Sequence, residues 1–296
     1  MPGDPRFSSG KLPRDYTPMS SKTMANGDAF GPIEFTISPE SHARHLSFLQ
    51  ASGTPMNRVN RWQRILLPFF EVWPLARVVS RARFGRVNEV VALGASTVIH
   101  RMAREGVPIT ATASLSRLLS RRGLAIGRFV CRAEDEEGRL LTETTDHLLL
   151  LHDSDPIAVR QAIEQADGHD DAACAGYQWD ENHPLHLTFR HHWNPAEWIN
   201  NIHVPSYARS VGYRDALAEG AGVMDVVFST LSPPPTESDL PISVAFNFRL
   251  PLYAGLDVRL KSARANKSRH HWVLVSQEAS NKSSVLLEAK VLHRGG

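Results

Sequence analysis

The side chains able to do chemistry in this 296-residue chain mostly point away from metal, phosphate and redox work. The histidines include three close pairs, His183/His186, His191/His192 and His270/His271. None comes with a cysteine at ligand spacing or with an HExxH arrangement, so they read as surface or strand histidines and no metal is expected. Cys131 and Cys174 lie far apart and form no CxxC pair, so both are expected as reduced thiols. The glycines form neither GxGxxG nor GxxxxGK, so the signature of a phosphate-cradling loop is missing. The basic run Lys261–Arg269 and the Arg121-Arg122-Gly123 turn read either as solubilising hairpin charge or as contacts for an anionic carrier. What remains is a set of carboxylates in apolar surroundings. Glu71 stands in Leu66-Leu67-Pro68-Phe69-Phe70-Glu71-Val72-Trp73. Glu219 and Asp225 belong to Ala218–Leu231, AEGAGVMDVVFSTL. A carboxyl group buried in such a setting has a raised pKa and can act as an acid. Glu219 reads equally as a charge partner for a helix N-terminus, and Asp225 as a hydrogen-bonded helix residue.

The elements that must position these groups occur twice. The first half opens on the alternating strand Ile33–Ile37, followed by the helix start Ser38-Pro39-Glu40. The second opens on Leu185–Phe189, followed by Asn194-Pro195-Ala196-Glu197, with glutamate at the capping-box position. An apolar helical stretch comes next in each half, over Trp62–Ser80 and Ala218–Leu231. Both halves end in antiparallel strands. The first set is expected at Val107–Leu118, Ala125–Ala133 and Leu140–His152, with Glu136–Arg139 as a hairpin turn. The second is expected at Ile242–Leu250, Asp257–Arg264, His271–Glu278 and Ser284–His293. A helix followed by an antiparallel meander, repeated, predicts an α+β duplication. The expected division is a disordered arm over 1–29, a first domain over 30–153, a linker with a short helical piece over 154–181, and a second domain over 182–296.

Hydrophobic residues make up 42% of the chain, enough to bury a sizeable core. A net charge of +2 creates no field to draw in nucleic acid or an anionic membrane. No apolar run approaches the ~20 residues of a membrane helix. The opening residues lack the apolar centre of a signal peptide, so the cytoplasm is the expected location.

One segment has a more specific pattern. Asn200-Asn201-Ile202-His203, then Tyr207-Ala208, Gly212-Tyr213 and Ala218-Glu219-Gly220 resemble the hydratase motif of R-specific enoyl-CoA hydratases and MaoC-like dehydratases. That motif reads roughly D-x-N-P-[IL]-H, a helix with an alanine, G-[FY], then A-H-G. The later Phe248-Arg249-Leu250-Pro251-Leu252 resembles the family's RF-x-x-P-[LV] strand. The resemblance covers most of residues 30–293, with the first half looking like the degenerate N-terminal hotdog of double-domain members. It implies an α+β double hotdog, each sheet wrapping one helix, with the acyl chain between the two.

The resemblance implies a dehydratase or hydratase acting on a 3-hydroxyacyl or enoyl thioester, without metal or organic cofactor. His203 matches the catalytic histidine. Asn200 matches the asparagine that holds the loop or a water. Gly220 sits where a helix N–H meets the thioester carbonyl, and Tyr213 and Trp198 are placed against substrate. The chain departs from the motif at three positions: Trp198 stands at the catalytic aspartate, Asn201 at the proline and Glu219 at the second histidine. Glu219, Asp225 and Glu71 are the candidate replacement acids, since related dehydratases pair a histidine on one hotdog with a carboxylate on the other's helix. The implied partners are an acyl-CoA or acyl carrier protein thioester and a second copy in a homodimer, with a tailoring step in polyketide or fatty-acid-like biosynthesis as the setting. A hotdog thioesterase using Glu219 or Asp225, and a non-catalytic acyl-binding protein, are the alternative readings.

Overall fold

The computed structural model describes residues 19–63, 65–67, 87–166, 181–187, 199–232, 234–266, 269–277 and 283–293. Its strands are β1 (Ala29–Thr36), β2 (Val87–Asn88), β3 (Val90–Ile99), β4 (Pro108–Arg121), β5 (Leu124–Asp135), β6 (Leu140–Leu150), β7 (Glu181–His186), β8 (Ile199–Asn200), β9 (Ile242–Phe248), β10 (Asp257–Asn266), β11 (Arg269–Gln277) and β12 (Ser283–His293). Its α-helices are α1 (Pro39–Ala51), α2 (Met56–Val59), α3 (Pro156–Ala166), α4 (Pro205–Ser210) and α5 (Gly220–Leu231). Ten strands form one sheet in the order β1-β4-β5-β6-β3-β9-β12-β11-β10-β7. The first five come from the first half of the sequence and the last five from the second. The seam between the halves is the antiparallel pair β3 and β9, from Gly94 opposite Asn247 to Ile99 opposite Ile242.

The sheet agrees with the expected meanders and adds a strand that alternation does not reveal. β3 reads VVALGASTVI, a nearly unbroken apolar and β-branched run, because both its faces meet apolar clusters: Val90, Ala92, Ala95 and Ile99 the main core, Val91 and Leu93 the smaller one. The helix start at Ser38 is as expected: its hydroxyl accepts from the Ser41 N–H at 3.2 Å, with Pro39 at the first position. Of the helix expected over Trp62–Ser80, Trp62 closes a 3-10 turn, Leu66 and Leu67 are not helical, and residues 68–80 lie outside the described residues. Residues 1–18 of the expected arm also lie outside them. From residue 19 the arm is packed, because Met19 and Met24 bury their side chains in the main core.

α5 is the centre of the second half. Its sequence, GAGVMDVVFSTL, is rich in glycine and β-branched residues and is a weak helix former by propensity. Every residue from Ala221 to Thr230 is buried, so packing on all sides holds the helix together. Phe228 lies between Trp62, with ring centroids 5.9 Å apart, and Trp272, at 6.1 Å. These contacts give both halves one continuous core around α5. No helix among the described residues is long and apolar enough to cross a membrane.

Candidate active site

His203 ends a short turn, Asn201–His203, that follows β8 directly. Two bonds to one residue fix this turn. The Leu217 N–H donates to the Ile202 carbonyl at 3.2 Å, and His203 Nδ1–H donates to the Leu217 carbonyl at 2.8 Å. A carbonyl can only accept, so Nδ1 carries hydrogen and Nε2 is the nitrogen that can take or return a proton. The imidazole is 5% exposed, and Ile202 beneath it is buried in a smaller core with Ala208, Tyr213, Leu217 and Tyr253.

His203 lines a cavity of about 200 Å³. Strand residues Val90–Leu93, Leu148 and Leu149 form one wall, and Phe248–Leu252 form another. Val159, Ala162, Ile163 and Ala166 of α3 form a third. The polar residues of the lining are His203, Tyr213, Glu219 and Arg249. The Arg249 guanidinium is engaged by the Glu288 carboxylate at 2.6 Å, so its charge is answered outside the cavity. Burial, with the neighbouring Tyr253 second, pushes the Tyr213 phenol well above the ordinary tyrosine range and keeps it neutral.

Glu219 is the N-cap residue of α5, yet its side chain makes no capping hydrogen bond. Its place at the helix start is the one a charge partner for the N-terminus takes, and the residue also lines the cavity with His203. Gly220 opens the helix beside it. A Cβ there would lie 3.2 Å from Ala92 Cβ and 3.4 Å from Phe248, so glycine lets the helix N-terminus come close to β3 and the cavity. The first N–H groups of a helix have no acceptor within it, and the dipole adds partial positive charge there. The cavity lining thus includes a histidine, a glutamate and the first residues of α5 within otherwise largely apolar walls.

The structure brings His203, Tyr213, Glu219 and Gly220 together. Asn200 is in β8, opposite Asn88 of β2, and its backbone leads into the His203 turn. Asp225 does not line the cavity. It is fully buried, with Oδ2 3.5 Å from His45 Nε2 of α1. The spacing that placed it five residues past Gly220 carries it more than one turn into the core, away from the helix mouth. Glu71 and Trp198 lie outside the described residues. Sequence reasoning missed the Leu217 carbonyl that orients the imidazole, for which no side-chain signal exists. It also missed α3 as a cavity wall, although the apolar spacing Val159, Ala162, Ile163, Ala166 was there to be read. Among the described residues, no group of three or more His, Cys, Asp or Glu is placed to hold a metal ion.

No protein-family model matches the sequence, and no curated protein matches it. Solved structures do resemble it. The full-length peroxisomal multifunctional enzyme type 2 from Drosophila melanogaster gives a TM-score of 0.66 at 14% identity, over 90% of this chain and 48% of that one. The chain therefore spans about half the length of that enzyme. HtdX from Mycobacterium tuberculosis gives 0.62 at 14% identity, over 88% of this chain and 98% of that one. A MaoC-like dehydratase from Phytophthora capsici gives 0.61 at 12% identity, over 92% and 97%. Another M. tuberculosis protein, with a TM-score of 0.55 at 11% identity over 92% and 97%, is described as having a double hotdog fold. Such identities establish a likeness of fold. The chain is an α+β double-hotdog protein, and its structural neighbours are MaoC-like dehydratases and other double-hotdog proteins.

Proposed function

We propose that the chain interconverts a 3-hydroxyacyl thioester and the corresponding enoyl thioester at the cavity lined by His203 and Glu219. The observation that carries this reading is a buried imidazole whose Nδ1–H is committed to the Leu217 carbonyl, beside a helix N-terminus and an apolar chamber. In the dehydration direction, His203 Nε2 takes the C2 proton. The electron pair left behind forms the C2–C3 double bond as the C3–O bond breaks. Protonated Glu219 delivers its proton to the departing hydroxyl, which leaves as water. The proton held by His203 returns to Glu219 through solvent, so no other reactant is consumed. N–H groups at the start of α5 stabilise the negative charge that develops on the thioester oxygen. Glu219 takes the acid's part because Trp198 stands where the resembling family has aspartate.

The chemistry draws on protein groups alone, with coenzyme A or an acyl carrier protein carrying the acyl chain. A groove beside the cavity is lined by Arg160, Arg209 and Arg214 along with Glu164 and Asp257, and its arginines are the groups there that could meet the phosphates of such a carrier. The setting this chemistry fits is a cytoplasmic tailoring step in polyketide or fatty-acid-like biosynthesis. The test is loss of absorbance of the conjugated double bond of crotonyl-CoA, with free thiol titrated in parallel. Hydration by wild type, reduced at least ~100-fold in His203→Ala, supports the reading. Thiol release without hydration makes the protein a thioesterase, and binding without either reaction makes it an acyl-binding protein.

A further inference from the structure

The helix α3 joins the two halves of the chain, yet it is built as a wall of the cavity. Its N-terminus is clamped by both halves. On the first-half side, the Asp155 N–H donates to the Gly123 carbonyl at 2.8 Å. Gly123 has φ +77°, and a Cβ there would come within 2.9 Å of Ala158 Cβ. On the second-half side, Gly212 has φ +105°, and a Cβ there would come within 2.6 Å of the Pro156 carbonyl oxygen. Only glycine permits either approach without displacing the helix. The Ile157 N–H is capped by the Asp155 carboxylate at 2.9 Å, and Val159 is buried. The helix is therefore seated at one end, with Ala162, Ile163 and Ala166 presented to the chamber.

Ile163 has a further property. It lines both the cavity of about 200 Å³ and the adjoining groove of about 860 Å³, a boundary it shares with Tyr213, Leu250 and Pro251. Tyr213 and Pro251 are held by the His203 loop and the strand end, while Ile163 stands on the connector. The chamber is open on one side and has a volume of about 200 Å³, with mostly apolar walls.

We infer that Ile163 and Ala162 of the connecting helix set the length of acyl chain the site accepts, Ile163 by closing the chamber against the groove and Ala162 by leaving its side open. The inference rests on the thioester reading and gives it a substrate class: short, apolar acyl chains. Neither residue touches the reacting atoms, so both are specificity-determining.

The test is calorimetric binding of butyryl-, hexanoyl-, octanoyl- and decanoyl-CoA to the full chain. These saturated probes cannot be hydrated, which separates binding from turnover. For wild type, the Kd is expected to fall about fourfold per methylene while the chain still enters the chamber, and then to stop falling. In Ile163→Ala the break moves to longer chains, and in Ala162→Leu, at an exposed position that tolerates change, it moves to shorter ones. Opposite shifts cannot come from loosened folding, which weakens every chain length alike. An identical break in all three proteins, or parallel weakening at every length, overturns the inference and leaves the thioester reading standing. No binding of any chain by wild type overturns both.

Discussion

Two buried histidines are paired with two carboxylates, one sharing a cavity with the residue that caps α5 and one facing a residue within that helix, and the contrast between them explains where chemistry is available. His203 is 5% exposed and lines an open chamber with Glu219, the residue just before α5. His45 is 1% exposed, faces Asp225 within α5 and stacks on Phe48 with ring centroids 6.0 Å apart. By residue type the two sites are alike. What differs is space: Glu219 stands at the helix start and lines the cavity, whereas Asp225 is fully buried within α5 against His45 and does not line it. A histidine and a carboxylate without a chamber hold elements together; with one they can move a proton.

The largest effect expected from this contrast is on stability. Asp225→Ala leaves His45 buried beside an emptied position and should cost about 3–5 kcal/mol of unfolding free energy, read by urea denaturation. The folded fraction should keep its turnover number; a turnover that falls with stability intact would make Asp225 catalytic. Next in size is His203→Ala, with a loss of at least ~100-fold in kcat/KM, about 2.7 kcal/mol of transition-state stabilisation, and little change in the denaturation midpoint. Gly212→Ala tests the clamp between the His203 loop and α3. Its φ of +105° and the Pro156 oxygen in the way should cost about 1–3 kcal/mol, together with weakened acyl binding. Unchanged stability in that variant would show that the loop and helix do not depend on each other.

The smallest effect concerns Tyr213 at alkaline pH. Its phenol titrates higher in the folded chain than in the unfolded one, so the folded chain holds the proton more tightly. Stability from this residue is level below the unfolded value of about 10 and declines as pH rises above it. Tyr213→Phe should remove that share of the decline and leave the pH–rate profile near neutrality unchanged. A shifted neutral profile would mean that the phenol takes part in proton transfer.

Much of the fold is legible in the sequence, and the reasons are local. Ser38 and Pro39 announce α1 through capping chemistry, and Glu136–Arg139 announces the β5–β6 hairpin through its turn residues. β3 is harder to read, because a strand with an apolar cluster on each face loses the alternation that marks a half-exposed one. The site was partly legible for a similar reason. His203, Gly212-Tyr213 and Glu219-Gly220 carry recognisable spacing, and the fold gathers their neighbourhood around one cavity. Of the two readings open for Asp225, its burial against His45 fits the helix residue, because distance along a helix does not say which end meets empty space. The wall supplied by α3 was overlooked because a short amphipathic helix between two halves reads as a connector until the glycines that clamp it are seen in place.

The most direct test of the central claim is deuterium exchange at C2 of 3-hydroxybutyryl-CoA, followed by NMR in wild type, His203→Ala and Asp225→Asn. Proton abstraction by His203 Nε2 predicts exchange in wild type and in Asp225→Asn, and none above background in His203→Ala. Exchange that survives the loss of His203, or that disappears with Asp225 in a folded protein, would contradict it.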